Sequence, residues 1–290
     1  MKKIIILLLV IAALITTGIF FKDTILKFYN SSGAFQNLQN IDIGSIVSKV
    51  EKQILAPAPL KINGTSNQVT LLKSKIISET NLQRQLNGNL PPLKENAKLD
   101  QSALAKANDM FARQYFEHVS PTGIDPGKLV QNYGYDYIIA GENLILGNFS
   151  SEKDVVQYWM DSPGHRANIL NNRYTEIGVA VIKGTYKGES VWISVQEFGL
   201  PLSTCSEPSV SLKNQIDSEK SQLDVLNQQI NEKKNQIDSA AKNSAAYNQM
   251  VNDYNELVRE YNALADKIKM EVAQYNNQVN NFNNCVTGNK

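Results

Sequence analysis

The sequence predicts an α+β domain followed by a long antiparallel helical hairpin, with an apolar N-terminal helix that crosses a membrane. Three observations predict it. Between Val69 and Met160 apolar residues recur at helical spacing in three segments, and Glu176–Lys183 and Ser190–Phe198 then alternate with the period of strands across a glycine-bounded turn. Beyond Pro208 neither Gly nor Pro occurs until Gly288, and apolar residues recur by sevens. At the start, Lys2-Lys3 precede an unbroken run of apolar or small residues from Ile4 to Phe21.

That first run, residues 1–22 with its flanks, is about the length a helix needs to cross a hydrocarbon core, roughly 17 to 25 residues. The paired lysines stay cytoplasmic, so the rest of the chain is exported. A cleaved signal peptide is the competing reading, but its apolar core runs to only roughly 7 to 15 residues and ends in an A-x-A-like site. No such site and no lipid-accepting cysteine follow the run. The expectation is a single-pass anchor with an extracytoplasmic C-terminus, or a secreted protein if the segment is cleaved. The 29 basic and 28 acidic residues leave a formal net charge of +1, so no summed field draws the chain to nucleic acid.

Residues 23–68 read as a spacer, broken by Ala56-Pro57-Ala58-Pro59 and Asn63-Gly64, with at most a short helix near Ile46 to Ile54. Residues 69–201 form the next domain. Its first helix begins near Val69 with Leu72, Ile76, Leu82 and Leu86 as the apolar series and ends at Asn87-Gly88. The second fits Asp100 to Phe116 with Leu104, Ala107, Phe111 and Tyr115 on one face, and the third fits Ser151 to Met160 with Val155, Tyr158 and Trp159 inward. The two strands after it form a hairpin.

In residues 205–286 the heptad series is Ile216, Leu223, Ile230, Ile237 and then Tyr247, Tyr254, Tyr261, Ile268, Tyr275, Phe282, interrupted around Ala240 to Ala246. Folding back at the interruption sets Ile216 against Tyr275 and Ile237 against Tyr254. The same fold-back brings Cys205 opposite Cys285, the only two cysteines, and in an exported chain such a pair reads as a disulfide. Arms of about 30 residues would extend about 45 Å. Such a hairpin serves as a spacer or recruits a protein partner, and polar Glu219 and Lys233 at seam positions limit further association.

Both histidines, His118 and His165, fall in the central domain. His118 lies in Tyr115-Phe116-Glu117-His118-Val119-Ser120-Pro121, and His165 in Trp159-Met160-Asp161-Ser162-Pro163-Gly164-His165-Arg166-Ala167-Asn168-Ile169-Leu170. Between them stands Gly141-Glu142-Asn143-Leu144, and after them Glu176-Ile177-Gly178-Val179 and Gln196-Glu197-Phe198-Gly199. These segments, with Thr80-Asn81-Leu82-Gln83-Arg84 and Leu90-Pro91-Pro92-Leu93 before them, resemble in content and order the CAP superfamily of cysteine-rich secretory, antigen 5 and pathogenesis-related proteins, in particular its bacterial, SCP-like members. The resemblance runs from about Ile76 to Gly199. It implies a three-layer α/β/α sandwich in which His118, Glu142, His165 and Glu176 converge on one cleft, and in some relatives the two histidines hold a divalent metal. Unlike many eukaryotic members, this domain has no cysteine before Cys205.

The chemistry of such a tetrad leaves two readings open. Imidazoles at His118 and His165 can ligate Zn²⁺ or another divalent ion, with Glu142 and Glu176 orienting them or acting as base toward a bound water. Without metal, the same groups make a polar hydrogen-bonded network under the cleft. No G-x-S-x-G or H-E-x-x-H motif is present, and Ser120 and Ser162 suit turns and caps. The expected function is a binding or interaction module for an envelope or extracellular ligand. The alternative is a metal-dependent, peptidase-like hydrolase with Glu142 or Glu176 as general base.

Overall fold

The computed structural model describes residues 52–64, 69–242 and 244–288. The apolar N-terminal run lies outside the described residues, and no helix among them is long and apolar enough to cross a membrane. The chain divides into two compact units, one of Pro208–Val279 and one of the described residues up to Glu207 with those from Asn280 onward.

The second of these units is built on one six-stranded sheet: β1 (Gln53–Leu55), β2 (Leu60–Ile62), β3 (Lys94–Glu95), β4 (Tyr137–Gly147), β5 (Glu176–Tyr186) and β6 (Glu189–Pro201). The order is β1-β4-β6-β5-β3, with β2 also on β4. The β5–β6 hairpin appears with longer arms than its alternation shows, turning at Lys187-Gly188. Both turn residues have positive φ, 51° and 89°, as a two-residue type I′ turn requires. Antiparallel pairing sets Glu142 of β4 opposite Glu197 of β6, and Glu197 opposite Gly178 of β5.

The stretch read as spacer is corrected here. Gln53–Leu55 and Leu60–Ile62 are strands, both parallel to β4, on Ile139–Gly141 and Ile145–Gly147. The domain therefore includes residues from Gln53, not only from Val69, and the described part of the short helix expected near Ile54 is strand. Strands of three residues flanking two prolines are too short to show a period, and their partner lies far along the chain.

Helices cover both faces. On one, α2 (Ala97–Arg113) packs Ala103, Ala107 and Met110 against Leu144, Leu146, Ile193 and Val195. On the other, α1 (Lys73–Leu86), α4 (Glu152–Asp161) and α5 (Pro163–Ile169) contribute Ile76, Val155, Trp159 and Ile169 to a core with Ile139, Ile145, Ile177, Val179 and Phe198. Alternate β4 side chains thus enter opposite cores, which makes three α/β/α layers. A short helix, α3 (Pro126–Asn132), starts on an Asp125 cap with Pro126 in its first turn. Asn96 and Ser151 cap α2 and α4 by accepting from the amides of Lys98 and Asp154.

Two helix faces differ from expectation. On α1, Leu72, Leu82 and Leu86 are exposed, while Ile76, Ile77, Thr80 and Arg84 are buried. Arg84 is held by the carbonyls of Pro91, Ile169 and Asn171 at 2.7–3.0 Å, through Nε and both hydrogens of Nη1, so a hydrogen-bonded polar side chain takes an apolar position. On α2, Leu104 is exposed and the buried stripe is Leu99, Ser102, Ala103, Lys106, Ala107 and Met110. Tyr158 on α4 is likewise exposed.

The other unit pairs α6 (Val210–Ser239) with the part of α7 (Ala245–Thr287) that extends to Val279. The heptad residues from Ile216 to Tyr275 are buried in one cluster. A second series on α7, Val251, Val258, Ala265, Val272 and Val279, completes the seam. Antiparallel register is visible in cross-arm contacts, Gln215 to Glu271 at 2.9 Å, Lys267 to Glu219 at 2.5 Å and Lys233 to Asp253 at 3.3 Å. Cys205 and Cys285 form a disulfide with Cα atoms 5.7 Å apart. Phe282 packs beside it with Ile138, in the core of the sheet-bearing unit rather than in the hairpin seam.

Candidate functional site

The site is built around the β1-β2 edge of β4. Leu55 pairs with Gly141 and Leu60 with Ile145, so the four residues Ala56–Pro59 run past Glu142, Asn143 and Leu144 outside any ladder. Alternation along β4 sends Glu142 toward α2 and Asn143 toward α5, and the site has a half on each side of the strand.

On the α2 side, Glu142 and Glu197 are cross-strand neighbours, both fully buried, and one oxygen of each carboxyl has no hydrogen-bond partner among the described residues, an arrangement that disfavours two charges. Burial first, and then the charge of Glu142, raise the pKa of Glu197 well above the usual carboxylate range. Ser102 reaches Glu197 at 3.5 Å. Lys106, 2% exposed, donates to the carbonyl of His118 at 2.5 Å and lies 3.4 Å from the Tyr115 hydroxyl. Burial lowers its pKa, and the nearby Glu142 and Glu197 pull in the other direction. The loop held in this way places His118 Nδ1 2.6 Å from Glu142 Oε1 and His118 Nε2 on the carbonyl of Pro57. A carbonyl only accepts, so Nε2 carries a hydrogen, and the hydrogen in the His118–Glu142 contact belongs to either ring or carboxyl.

On the α5 side, the Ser162-Pro163 turn starts the helix and buries His165 to 1% exposure. Its Nδ1 lies 2.8 Å from the Ser162 hydroxyl, one turn back, and its Nε2 has no hydrogen-bond partner among the described residues. Burial, reinforced by His118 and opposed by the backbone of Leu144, lowers the pKa of His165 to about 4. Asn143 donates to the His165 carbonyl at 3.2 Å and to Gln196 at 3.2 Å. Asn168 donates to Asn143 Oδ1 at 2.9 Å and to the Leu55 carbonyl at 3.1 Å. The Gly-Glu-Asn-Leu and His-Arg-x-Asn-Ile-Leu segments are therefore two halves of one buried amide network, which fixes α5 against β4.

Three of the four expected residues, His118, Glu142 and His165, thus belong to this edge. Glu176 does not join them. It sits at the start of β5, accepts from Asn96 at 3.1 Å and from the Tyr135 hydroxyl at 2.8 Å, and lines a different cleft with Lys98, Gly134 and Ser203. The Tyr135 ring covers Gly199, two residues along β6 from Glu197. Glu197 is the second carboxyl of the site. An acidic residue inside the buried run Gln196-Glu197-Phe198 was the available signal, as was a lysine within the apolar stripe of α2. Arg166, one residue beyond His165, is exposed and donates to Asn87 at 3.0 Å.

The residues do not fit a resident metal ion. Both ring nitrogens of His118 are engaged, His165 offers one, and among the described residues no three His, Cys, Asp or Glu side chains are grouped to hold an ion. Zinc takes four ligands, and three from the protein even where a position is left for water.

A model of the CAP family, the cysteine-rich secretory protein family, matches residues 78–198. An uncharacterized protein of Bacillus subtilis, YkwD, is 39% identical over 141 residues, which cover 47% of this chain and 52% of that one. An uncharacterized membrane protein of the same organism, YlbC, is 31% identical over 117 residues, 40% of this chain and 33% of that one. The chain thus spans about half the length, or less, of these curated relatives. Among solved structures, an extracellular protein containing an SCP domain from Bacillus anthracis is 31% identical over 44% of this chain and 39% of its own, with a TM-score of 0.38. An outer surface protein from Borrelia burgdorferi is 22% identical over 47% of this chain and 99% of its own, with a TM-score of 0.41. Residues 78–198 are thus a domain of the CAP family, similar to those of bacterial relatives.

Proposed function

We propose that the domain is a ligand-binding module of an exported, membrane-tethered protein, and that the edge of β4 with His118, Glu142, Glu197 and His165 is where the ligand is held. One observation carries this reading: His118, backed by the buried Glu142–Glu197 pair, holds a backbone carbonyl, that of Pro57. The group is arranged to present a hydrogen to an acceptor. The hydrolase alternative has less support. The donor set does not suit Zn²⁺, and the histidine beside the Ser162 hydroxyl has a pKa of about 4, which makes it a weak base near neutrality. Export and tethering rest on Lys2-Lys3 and the run from Ile4 to Phe21. The helical hairpin offers a surface for a protein partner, and the near-zero net charge argues against nucleic acid.

The test is to incubate the full chain with a defined mixture of peptides and oligosaccharides and to follow retention and fragmentation together by mass spectrometry. Intact ligand retained by the wild type and lost in Glu142→Gln is the expected result. New fragments that disappear in Glu142→Gln would reverse the reading in favour of the hydrolase.

A further inference from the structure

We propose that the ligand of this edge is an extended peptide laid parallel to β4, and that residues 53–62 are a resident stand-in for it that must leave before another peptide binds. The proposal rests on the domain being a binding module and names its ligand class.

Four observations converge on it. The first is the mode of attachment. Residues 53–62 join the sheet as an added edge, three residues paired, four unpaired and three paired, which is how a peptide augments a sheet. The second is what the site reads. His118 Nε2 donates to the Pro57 carbonyl and Asn168 Nδ2 to the Leu55 carbonyl at 3.1 Å, so both side chains recognise main chain that any peptide carries. Prolines at 57 and 59 have no N–H for a ladder, and they fall where the ladder is open.

The third is clearance. A Cβ on Gly164 would stand 2.6 Å from Cβ of Pro57, and one on Gly147, whose φ is 155°, would overlap the Ile62 carbonyl. The surface around the segment is thus cut to the width of a peptide chain. The fourth is how lightly the segment is held. Leu55 is 41% exposed, Gln53 and Lys61 are exposed, and Ile54, Leu60 and Ile62 are only half-buried, whereas β4 behind them is buried throughout. Removing the segment leaves β4 paired with β6 along most of its length and opens its other edge.

The experiment uses the full chain and, as probe, a fluorescein-labelled peptide of sequence Gln53–Ile62, read by anisotropy. Ile54→Asp with Ile62→Asp loosens the resident strand by placing charge in two of its half-buried positions. This opened variant is expected to bind the probe at least tenfold more tightly than the wild type does. Adding Gly164→Val, which obstructs the Pro57 position, is expected to weaken binding at least tenfold again. An opened variant that melts cooperatively yet binds no better than wild type overturns the proposal, as does binding indifferent to Gly164→Val.

Should the opened variant fail to fold, hydrogen exchange on the wild type decides. Hydrogen-bonded amides of residues 53–55 and 60–62 are expected to exchange at least a hundredfold faster than those of the β4–β6 ladder, and equal protection overturns the proposal. Light scattering of the opened variant identifies the source of the peptide. A monomer that captures the probe takes foreign peptide, and a dimer dissolved by the probe takes the segment of a second copy; both outcomes support the ligand class. Retention of other compounds without probe binding removes the ligand class and leaves the binding module, while cleavage of the probe removes the module itself.

Discussion

Each of the two units contains the same three groups, a pair of neighbouring glutamates and a lysine beside them, and it is the lysine whose surroundings differ most. In the CAP domain, Glu142 and Glu197 are fully buried and Lys106 is 2% exposed. In the hairpin, Glu219 and Glu271 meet at the flank of the seam, and Lys267 remains half exposed. Burial lowers the pKa of Lys106, while hydrogen bonding to Glu219 raises that of Lys267. Solvent makes the difference. In the hairpin the Glu219 and Glu271 side chains are also largely covered, 9% and 14% exposed, and only Lys267 shares its charge with water, while the trio fixes which residues of the two arms meet. In the domain all three groups are buried, and the hydrogen bonds to His118, Tyr115 and Ser102 replace only part of the lost hydration, so such a cluster is a weak contributor to stability. A trio kept under those conditions beside the only two histidines of the chain has a use other than holding the fold.

The largest effect expected comes from breaking the buried trio. Lys106→Met removes the one cation near Glu142 and Glu197 and also releases the His118 carbonyl, and it should cost roughly 3–5 kcal/mol in urea unfolding of the domain. Lys267→Met, the matched change in the hairpin, should cost less, because the lysine it removes is half exposed and water takes part of its place beside Glu219. Equal losses in the two variants would mean that the hairpin trio is as dry as the domain trio, and the contrast would fall.

A smaller effect concerns pH. With a folded pKa of about 4 against an ordinary 6.5, His165 takes up a proton in the unfolded chain before it does in the folded one. Its contribution is fully present above about pH 6.5 and is lost as pH falls toward 4, by up to roughly 3 kcal/mol. Glu197 acts with the opposite sign. Its raised pKa lets the folded domain keep a proton that the unfolded chain has released, so stability declines as pH rises above the ordinary carboxylate range. A stability maximum between the two limbs is expected in melting curves from pH 4 to 8. His165→Gln should flatten the acid limb alone, and an unchanged acid limb in that variant would remove His165 as its cause.

How much of this was legible in the sequence follows from the same contrast. The hairpin repeats one local pattern, so the series from Ile216 to Ile237 and from Tyr247 to Tyr275 show its register, and the cysteines agree with it. Its valine series was equally periodic and was passed over in favour of the aromatic one. In the domain, ordered motifs reveal the layers and pick out His118, Glu142 and His165, while Glu176 lies on Asn96 and Tyr135 and Glu197 stands opposite Glu142. Which acidic residue stands beside Glu142 follows from the β4–β6 register, which is a matter of tertiary pairing. The apolar periodicity of α1 misleads because Thr80 and Arg84 are buried through hydrogen bonds that hydropathy does not register. The strands β1 and β2 gave no local signal, since nearly all that defines them is a distant partner.

The smallest effect returns to the hairpin and sharpens what its polar residues are for. Glu219 follows Ile216 by three, so it occupies a seam position that Leu226 fills one heptad later; Lys267 and Gln215 both donate to its Oε1, while Oε2 is buried without a hydrogen-bond partner among the described residues. Glu219→Leu replaces a polar group at the seam by an apolar one of similar reach and should stabilise the oxidised hairpin by roughly 1 kcal/mol. The same change widens the apolar stripe, so sedimentation of the full chain should show more self-association in the variant than in the wild type. A lower urea midpoint would mean that the Glu219–Lys267–Gln215 contacts are worth more than the apolar surface that displaced them. A higher midpoint without association would mean that the stripe is protected by something other than this glutamate, and Lys233, the other charged residue on the seam, would be the next position to change.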